Sequence, residues 1–475
     1  VTTIHRRVVI FAIAAQLSAA VSALAQVTNP FPGPQLPRTS PFAGGIPSGT
    51  ATTEPITLTI VQAITRSLEH NLGLLLAGQD TASAKADRWT ALGRLLPNVS
   101  ASLTESRRKT NLEAFGFPLG PGFPRVVGPF NVFDARVFAS QPILDLDALH
   151  ESKAATHKVA AAEHSYRHAR SIVILATANV YLQALATQAR TDAARAQLAS
   201  AQAIHQQALD LRQAGIVAGI DVVRAEVQVS ILRQRATATA NDFEKAKLQL
   251  ARIAGLPIGQ PFTLVDDIPT VPDRNVTLDQ VLEEAYTKRE DYLAAVEDVR
   301  AAEASRSAAT AAHLPSIRVT ADYGTIGLTP GTALPTFNVT GAVDVPLFDG
   351  GRRKGRLANA DVELREQRAK LEDLRATVYY DVRTAFLDLE ATAQQLEAAD
   401  RGQVLATQQL AQSRDRFAAG VATNIEVVQA QEAVALATEQ AISARYGFSV
   451  AKALLAQSSG SAEQALMNLL KGAKP

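Results

Sequence analysis

The chain has no cysteine. That absence excludes disulfides, thiolate metal sites and cysteine nucleophiles together, and with them the lipid-bearing cysteine of a lipoprotein. It has no charge surplus either, since 47 Lys and Arg stand against 46 Asp and Glu in 475 residues. A nucleic-acid partner would require a basic excess, so none is expected. G-x-S-x-G, H-E-x-x-H and P-loop patterns are all missing, so neither an enzyme nor a cofactor is expected. Glycine and proline are absent between Pro142 and Gly215. That gap permits one helix of roughly 70 residues, about 100 Å long.

Residues 1–25 read as a signal peptide: Arg6 and Arg7, an apolar run, then Ala23-Leu24-Ala25 ahead of Gln26. Export is expected. Residues 26–55 hold seven prolines and no periodicity, and read as an extended Pro-rich arm. The stretch 171–189 carries no charge over 19 positions, but Asn179, Gln183 and Gln188 mark it as a buried helix rather than a membrane span.

The rest is one plan written twice, residues 56–260 and 276–460, with a linker at 261–275 and a tail at 461–475. Each half opens on a helix, "ITLTIVQAITRSLEHNLGLLLAG" beside "VTLDQVLEEAYTKREDYLAAV", with Leu58 over Leu278 and Asn71 over Asp291. Thr277 and Gln280 have capping-box spacing. These helices, near 58–95 and 279–313, stop at Leu96-Pro97 and Leu314-Pro315, because the residue before proline leaves the helical region. Pro142 and Pro346 each precede a second, long helix. Then "QAGIVAGIDVVRAE" and "AAGVATNIEVVQAQE" align, with Gly215 over Gly420, Asp221 over Glu426 and Gly255 over Gly460. Each reads as a helical hairpin. Two shorter helices can stack end to end beside each long one, burying their Ala/Leu stripes in an antiparallel layer.

Four segments alternate. "SIRVTADYG" places Ile317, Val319, Ala321 and Tyr323 on one face; "FNVTGAVDV" does the same with Phe337, Val339, Val343 and Val345. "NVSASLTE" and "FNVFDARVFASQ" form an earlier, rougher pair. At about ten residues each, tilted strands of this kind reach across a bilayer. The loop between the earlier pair carries Phe115, Phe117, Phe123 and Phe130, which suits an interfacial aromatic girdle. Four strands cannot close a barrel, and an open edge in lipid leaves backbone groups unsatisfied. Other copies must complete the sheet; two would give eight strands and three would give twelve. A small soluble sheet with one polar face is the competing expectation.

The helix opening at 58–71, the Leu-Pro strand starts, "VPLFDGGRRKG" at 345–355 and "AAGVATNIEVVQAQ" at 418–431 resemble the TolC-like outer-membrane efflux family over nearly all of 56–460. The resemblance implies a mainly α chain with a transmembrane β-barrel. A long antiparallel helical tunnel would carry four β-strands per chain, completed as a 12-stranded barrel in a homotrimer. It implies an outer-membrane location among lipid, reaching into the periplasm. It also implies a periplasmic adaptor (membrane fusion) protein and an inner-membrane RND or ABC transporter as partners. The function implied is a passive exit channel of a tripartite efflux or type I secretion system. An exported periplasmic coiled-coil scaffold without channel activity is the alternative.

On this reading the hairpin turns form the periplasmic end. Gly215, Gly219, Gly420 and Thr423 are the candidate adaptor-docking tips, and Asp221 and Glu426 the candidate aperture acids. Acid rings at a constriction favour cations. The plainer reading of Glu426 is a capping box with Thr423. Phe417, Ala422 and Gln429 stand where the family's gate would carry a tyrosine, an arginine and a second acid. His150, His157, His164 and His168 stripe one helix face, expected to be solvated rather than metal-binding.

Overall fold

The protein is described by a computed structural model covering residue 37 and residues 39–116, 124–266 and 277–464. Residues 1–25, expected as the signal peptide, and Phe117 and Phe123 lie outside the described residues.

Strand β1 (Ile56–Leu58) leads into α1 (Ile60–His70) and α2 (Leu72–Gly93). The second repeat opens with α5 (Leu278–Lys288) and α6 (Glu290–Ala311). Thr59 and Thr277 are the N-caps, each closing a capping box with Gln62 or Gln280. The single helices expected at 58–95 and 279–313 are each broken, at Asn71 and at Arg289, where the backbone turns extended. Thr59 therefore matches Thr277 and Asn71 matches Arg289. Leu58 ends a strand and does not align with Leu278. Hydrophobic periodicity runs through both breaks, which is why it concealed them.

Strands β2 (Asn98–Asn111) and β3 (Val126–Leu144) follow, then α3 (Leu146–Gln213) and α4 (Gly219–Ile253). The second half repeats them as β5 (Ser316–Gly327), β6 (Leu334–Asp344), α7 (Arg352–Ala418) and α8 (Asn424–Ser458). The first strand pair outruns the expected ten residues, at 14 and 19. Phe130, expected in the loop, sits within β3, whereas Phe115 ends a short 3-10 turn. The four long strands form one antiparallel sheet in the order β2-β3-β5-β6.

A second sheet was not foreseen. Inside the expected linker, β4 (Phe262–Leu264) pairs in parallel with β1, Leu58 opposite Leu264. Tyr181 of α3, fully buried, lies under it and shares its hydroxyl proton between the Leu58 carbonyl (2.9 Å) and Asp266 Oδ2 (2.8 Å). The same carboxylate oxygen accepts from the Ile60 N–H at 2.7 Å, so one acid ties strand, helix start and core together. The Pro-rich arm is seated from residue 39 onward: Gly45 donates to the Arg252 carbonyl, and Ile46 to that of His70, both at 2.8 Å.

Helix α3 is the one described helix apolar and long enough to cross a membrane, yet that segment is mostly buried. Asn179 there accepts the Tyr446 hydroxyl at 2.8 Å. Helix α6 lies between α3 and α7, joined to the first by His157–Glu297 (2.7 Å) and to the second by Arg368–Glu303 (2.7 Å). Its repeat counterpart α2 packs on α3 through Leu74 and Lys85–Glu163 (2.9 Å) and makes no substantial contact with α7.

Candidate functional site: a two-faced sheet and two paired hairpin tips

Between its two register shifts, at Arg108/Thr110 and Pro142/Leu144, pairing assigns the residues of the large sheet to two faces. Val99, Leu103, Ala135, Val137, Ala139, Ala321 and Tyr323 are linked by direct cross-strand pairing. The same face continues through Val319, Ile317, Phe337, Val339 and Val343. The opposite face carries Ser100, Ser102, Thr104, Arg136, Asp134, Asp322, Thr320, Asn338 and Thr340. One side is mainly apolar, with Glu105 among it, and the other mainly polar, with Phe138 and Ile326 among it.

The apolar side has nothing over it: Leu103 is 73% and Phe337 76% exposed. A small soluble sheet would have its apolar face covered, and nothing among the described residues covers this one. On the polar face Arg136 pairs with Asp322, reaches Asp134 Oδ1 at 3.3 Å, and donates to Thr336 Oγ1 at 3.0 Å. That cluster spans β3, β5 and β6 and pins their register with charge, which belongs on a watered side.

At the other end of the molecule the two hairpins turn. Helix α3 ends when Gly215 takes φ +75°, so Gly215 N donates to Arg212 O (3.0 Å) and Ile216 N to Leu211 O (2.9 Å). Helix α7 ends likewise at Gly420, φ +69°, with Gly420 N to Phe417 O and Val421 N to Arg416 O, both 3.0 Å. These are Schellman ends, in which only glycine adopts the left-handed position without strain. Open space surrounds both glycines, whereas Gly219 sits against Arg212.

Asp221 and Glu426 both fall in the first turn after the tip, where the helix dipole favours acids. Their partners differ. Asp221 meets Arg224 one turn on, at 3.3 Å; Glu426 meets Arg416 across the turn, also at 3.3 Å. Thr423 is the N-cap of α8, but its hydroxyl makes no capping bond, so the expected box with Glu426 does not form. The tips touch: Asn424 Nδ2 donates to the Asp221 carbonyl at 2.9 Å. Beside them Phe417 packs against Ile204 and Val427. The ring is nearly fully buried and serves as core.

The model of the family described as outer membrane efflux protein matches residues 63–256 and 281–461. The chain belongs to this family. One matched block falls in each half of the chain. Pyoverdine export outer membrane protein OpmQ of Pseudomonas putida is 24% identical over 387 residues, 79% of this chain and 80% of that protein. Outer membrane protein TolC of Vibrio cholerae is 23% identical over 328 residues, 67% of this chain and 75% of that one. The Campylobacter jejuni CmeC outer membrane channel shares the fold, with TM-score 0.72 at 17% identity, over 94% of this chain and 98% of that one.

As an outer membrane efflux protein, the chain is an outer-membrane channel component whose relatives are named for transport, not catalysis. Sequence reasoning missed three residues at its tips. Arg224 was legible from its i, i+3 spacing to Asp221. Arg416 and Asn424 were not, because each acts across a turn or between hairpins. The histidine stripe is corrected in part, since His157, His164 and His168 lie against α6. His157 meets Glu297 at 2.7 Å and His164 meets Glu290 at 2.6 Å, with Arg167 Nε on the same carboxylate at 2.9 Å. Burial, with Arg289 nearby, holds His168 below the usual imidazole range against the pull of Asp291 and Glu290. No group of three or more potential ligands among the described residues is placed to hold a metal.

Proposed function

We propose that three copies of this chain close into a passive exit duct, with a twelve-stranded barrel in the outer membrane and a helical tunnel below it. One seam carries the argument. Within the chain the repeats join where β3 pairs with β5 and where α6 sits between α3 and α7. The same rule applied to β2 and α2 calls for a β6 and an α7 on their open flanks, and this chain's own are already elsewhere. A second copy supplies both at once. Such a head-to-tail contact must close by rotation, and sheet edges in lipid leave no other end state. Eight strands from two copies would be filled by their own side chains, whereas twelve begin to leave a passage.

The duct would receive cargo from a periplasmic adaptor and an inner-membrane RND or ABC transporter, in tripartite efflux or type I secretion. Two tips per chain give the trimer six, a quasi-sixfold surface on which Gly215, Gly219, Gly420 and Thr423 would face adaptor hairpins. Asp221 and Glu426 would edge the mouth, supported by their first-turn positions and by the contact that puts both tips together.

The test is the mass of detergent-purified protein, read with its conductance in planar bilayers. A trimer that conducts is expected. A stable, non-conducting monomer sinks the reading.

A further inference from the structure

Away from the tips, about where Ser200 lies on α3, the two hairpins form a half-open pocket of about 300 Å³. All four helices wall it, and the walls are largely apolar: Ala196, Leu232, Leu410 and Val434. Into this lining projects the guanidinium of Arg414. Its Nη2 donates to Ser200 Oγ, while its Nε is buried with no hydrogen-bond partner. Among the described residues no carboxylate forms an ion pair with it. Gln197, also on the wall, has a buried Oε1 without a partner. Gln431 is only 7% exposed and reaches Ser200 Oγ no closer than 3.4 Å. A narrower extension sharing Gln197 brings in Arg190 and Arg235. Arg190 is neutralised by Glu439 at 2.8 Å; Arg235 has no ion pair among the described residues.

Arginine cannot shed its proton, so a half-buried guanidinium with a buried, unpartnered Nε and no ion pair attracts a counter-ion. A native interior rarely tolerates an orphaned donor and an orphaned acceptor on one cavity. The volume is that of a small-ligand pocket, with apolar walls and a few convergent polar groups. A guanidinium edge with a free Nε matches a carboxylate, and the surrounding Ala, Leu and Val match a hydrocarbon body. We propose that this inter-hairpin cavity binds a small amphiphilic carboxylate, with its head on Arg414 Nε and its chain between Leu232, Leu410 and Val434. Because the bound molecule touches α3, α4, α7 and α8 together, it ties one hairpin to the other. The site needs neither the trimer nor the pump.

The probe is octanoate, titrated calorimetrically into the full-length protein in lipid nanodiscs, with octanamide as its uncharged match. Saturable binding of octanoate at one site per chain is expected. Octanamide should bind at least about tenfold more weakly, and Arg414→Gln should weaken octanoate by a similar factor. Leu232→Trp should block the site while keeping the charge, and Arg401→Gln, on an exposed face, should bind as the wild type does. No saturable octanoate binding to the wild type would mean a slot that holds only water, and overturns the proposal. Equal affinity for octanoate and octanamide overturns it too, and that comparison needs no variant to fold.

Discussion

Asn424 on α8 donates its side-chain amide to the backbone carbonyl of Asp221 on α4, 2.9 Å away and 203 positions earlier in the chain. The side chain is fully buried, and its Oδ1 has no partner. Its repeat counterpart is Gly219, which has no side chain to offer. The two hairpin tips are therefore joined by a bond that only one of them can make. Asn424→Ala should cost about 0.5–1.5 kcal/mol by removing this bond between the tips, the Asp221 carbonyl keeping its place in the α4 ladder. Thermal unfolding of the purified protein reads this, and single-channel recordings should show a less stable closed level. An unchanged melting temperature would remove the tie from the account.

Asp221→Ala with Glu426→Ala should lower cation selectivity in planar bilayers, as expected for acids at a constriction. Each single change should be partial, since the two acids are held by different arginines, Arg224 and Arg416. Unaltered selectivity in the double variant would place both acids away from the mouth.

Gly420 and Gly460 end helices in the same left-handed conformation, φ +69° and +78°. A Cβ on Gly420 meets open space, whereas one on Gly460 would lie 2.7 Å from the Lys288 carbonyl carbon. Gly420→Ala should therefore cost only the backbone term, about 1–2 kcal/mol. Gly460→Ala should cost clearly more, because the break at Arg289 would have to move. Denaturation of the two variants side by side gives the comparison, and equal losses would refute the docking argument.

Val339 and Thr340 are neighbours on β6 with opposite sides to face. On the proposed barrel an arginine at Val339 would enter lipid, a change worth about 2–4 kcal/mol near the bilayer centre. One at Thr340 joins the polar face beside Asn338. Val339→Arg should abolish recovery in the outer-membrane fraction, and Thr340→Arg should be recovered normally. Equal recovery would mean that the apolar face does not contact lipid.

The seam between α3 and α6 should weaken in mild acid. His168 binds its proton less readily folded than unfolded, so between about pH 7 and 5 the unfolded chain takes up more protons and stability falls with pH. That loss begins near the unfolded value of 6.5. A second loss follows only as pH falls below the ordinary 3.8 of Asp291, whose carboxyl pays a burial penalty but is held low by Arg289. His168→Gln should flatten the first decline and leave the second, read as melting temperature against pH.

The helix breaks show where sequence reading stops. Asn71 and Arg289 lie inside continuous apolar periodicity; Gly73 follows the first break by two residues, but no glycine or proline stands near the second. What holds each break open is another helix end: Gly255 seats against His70, and Gly460 against Lys288. Those contacts are long-range, so local pattern could not reveal them. The same holds for the histidine stripe, whose spacing was legible but whose carboxylate partners lie on α6, more than 120 positions away.

By itself the sequence determined the duplication, the long helices, the alternating strands and the glycines that end each hairpin. These follow from backbone sterics and from periods of 3.6 and 2, which are local properties. Only the tertiary structure decided which side of each strand belongs to one continuous apolar face, which arginine each tip acid meets, and which flanks of the chain lack a neighbour. Those outcomes depend on pairing across hundreds of positions, where the energy resides in contacts rather than in any single segment.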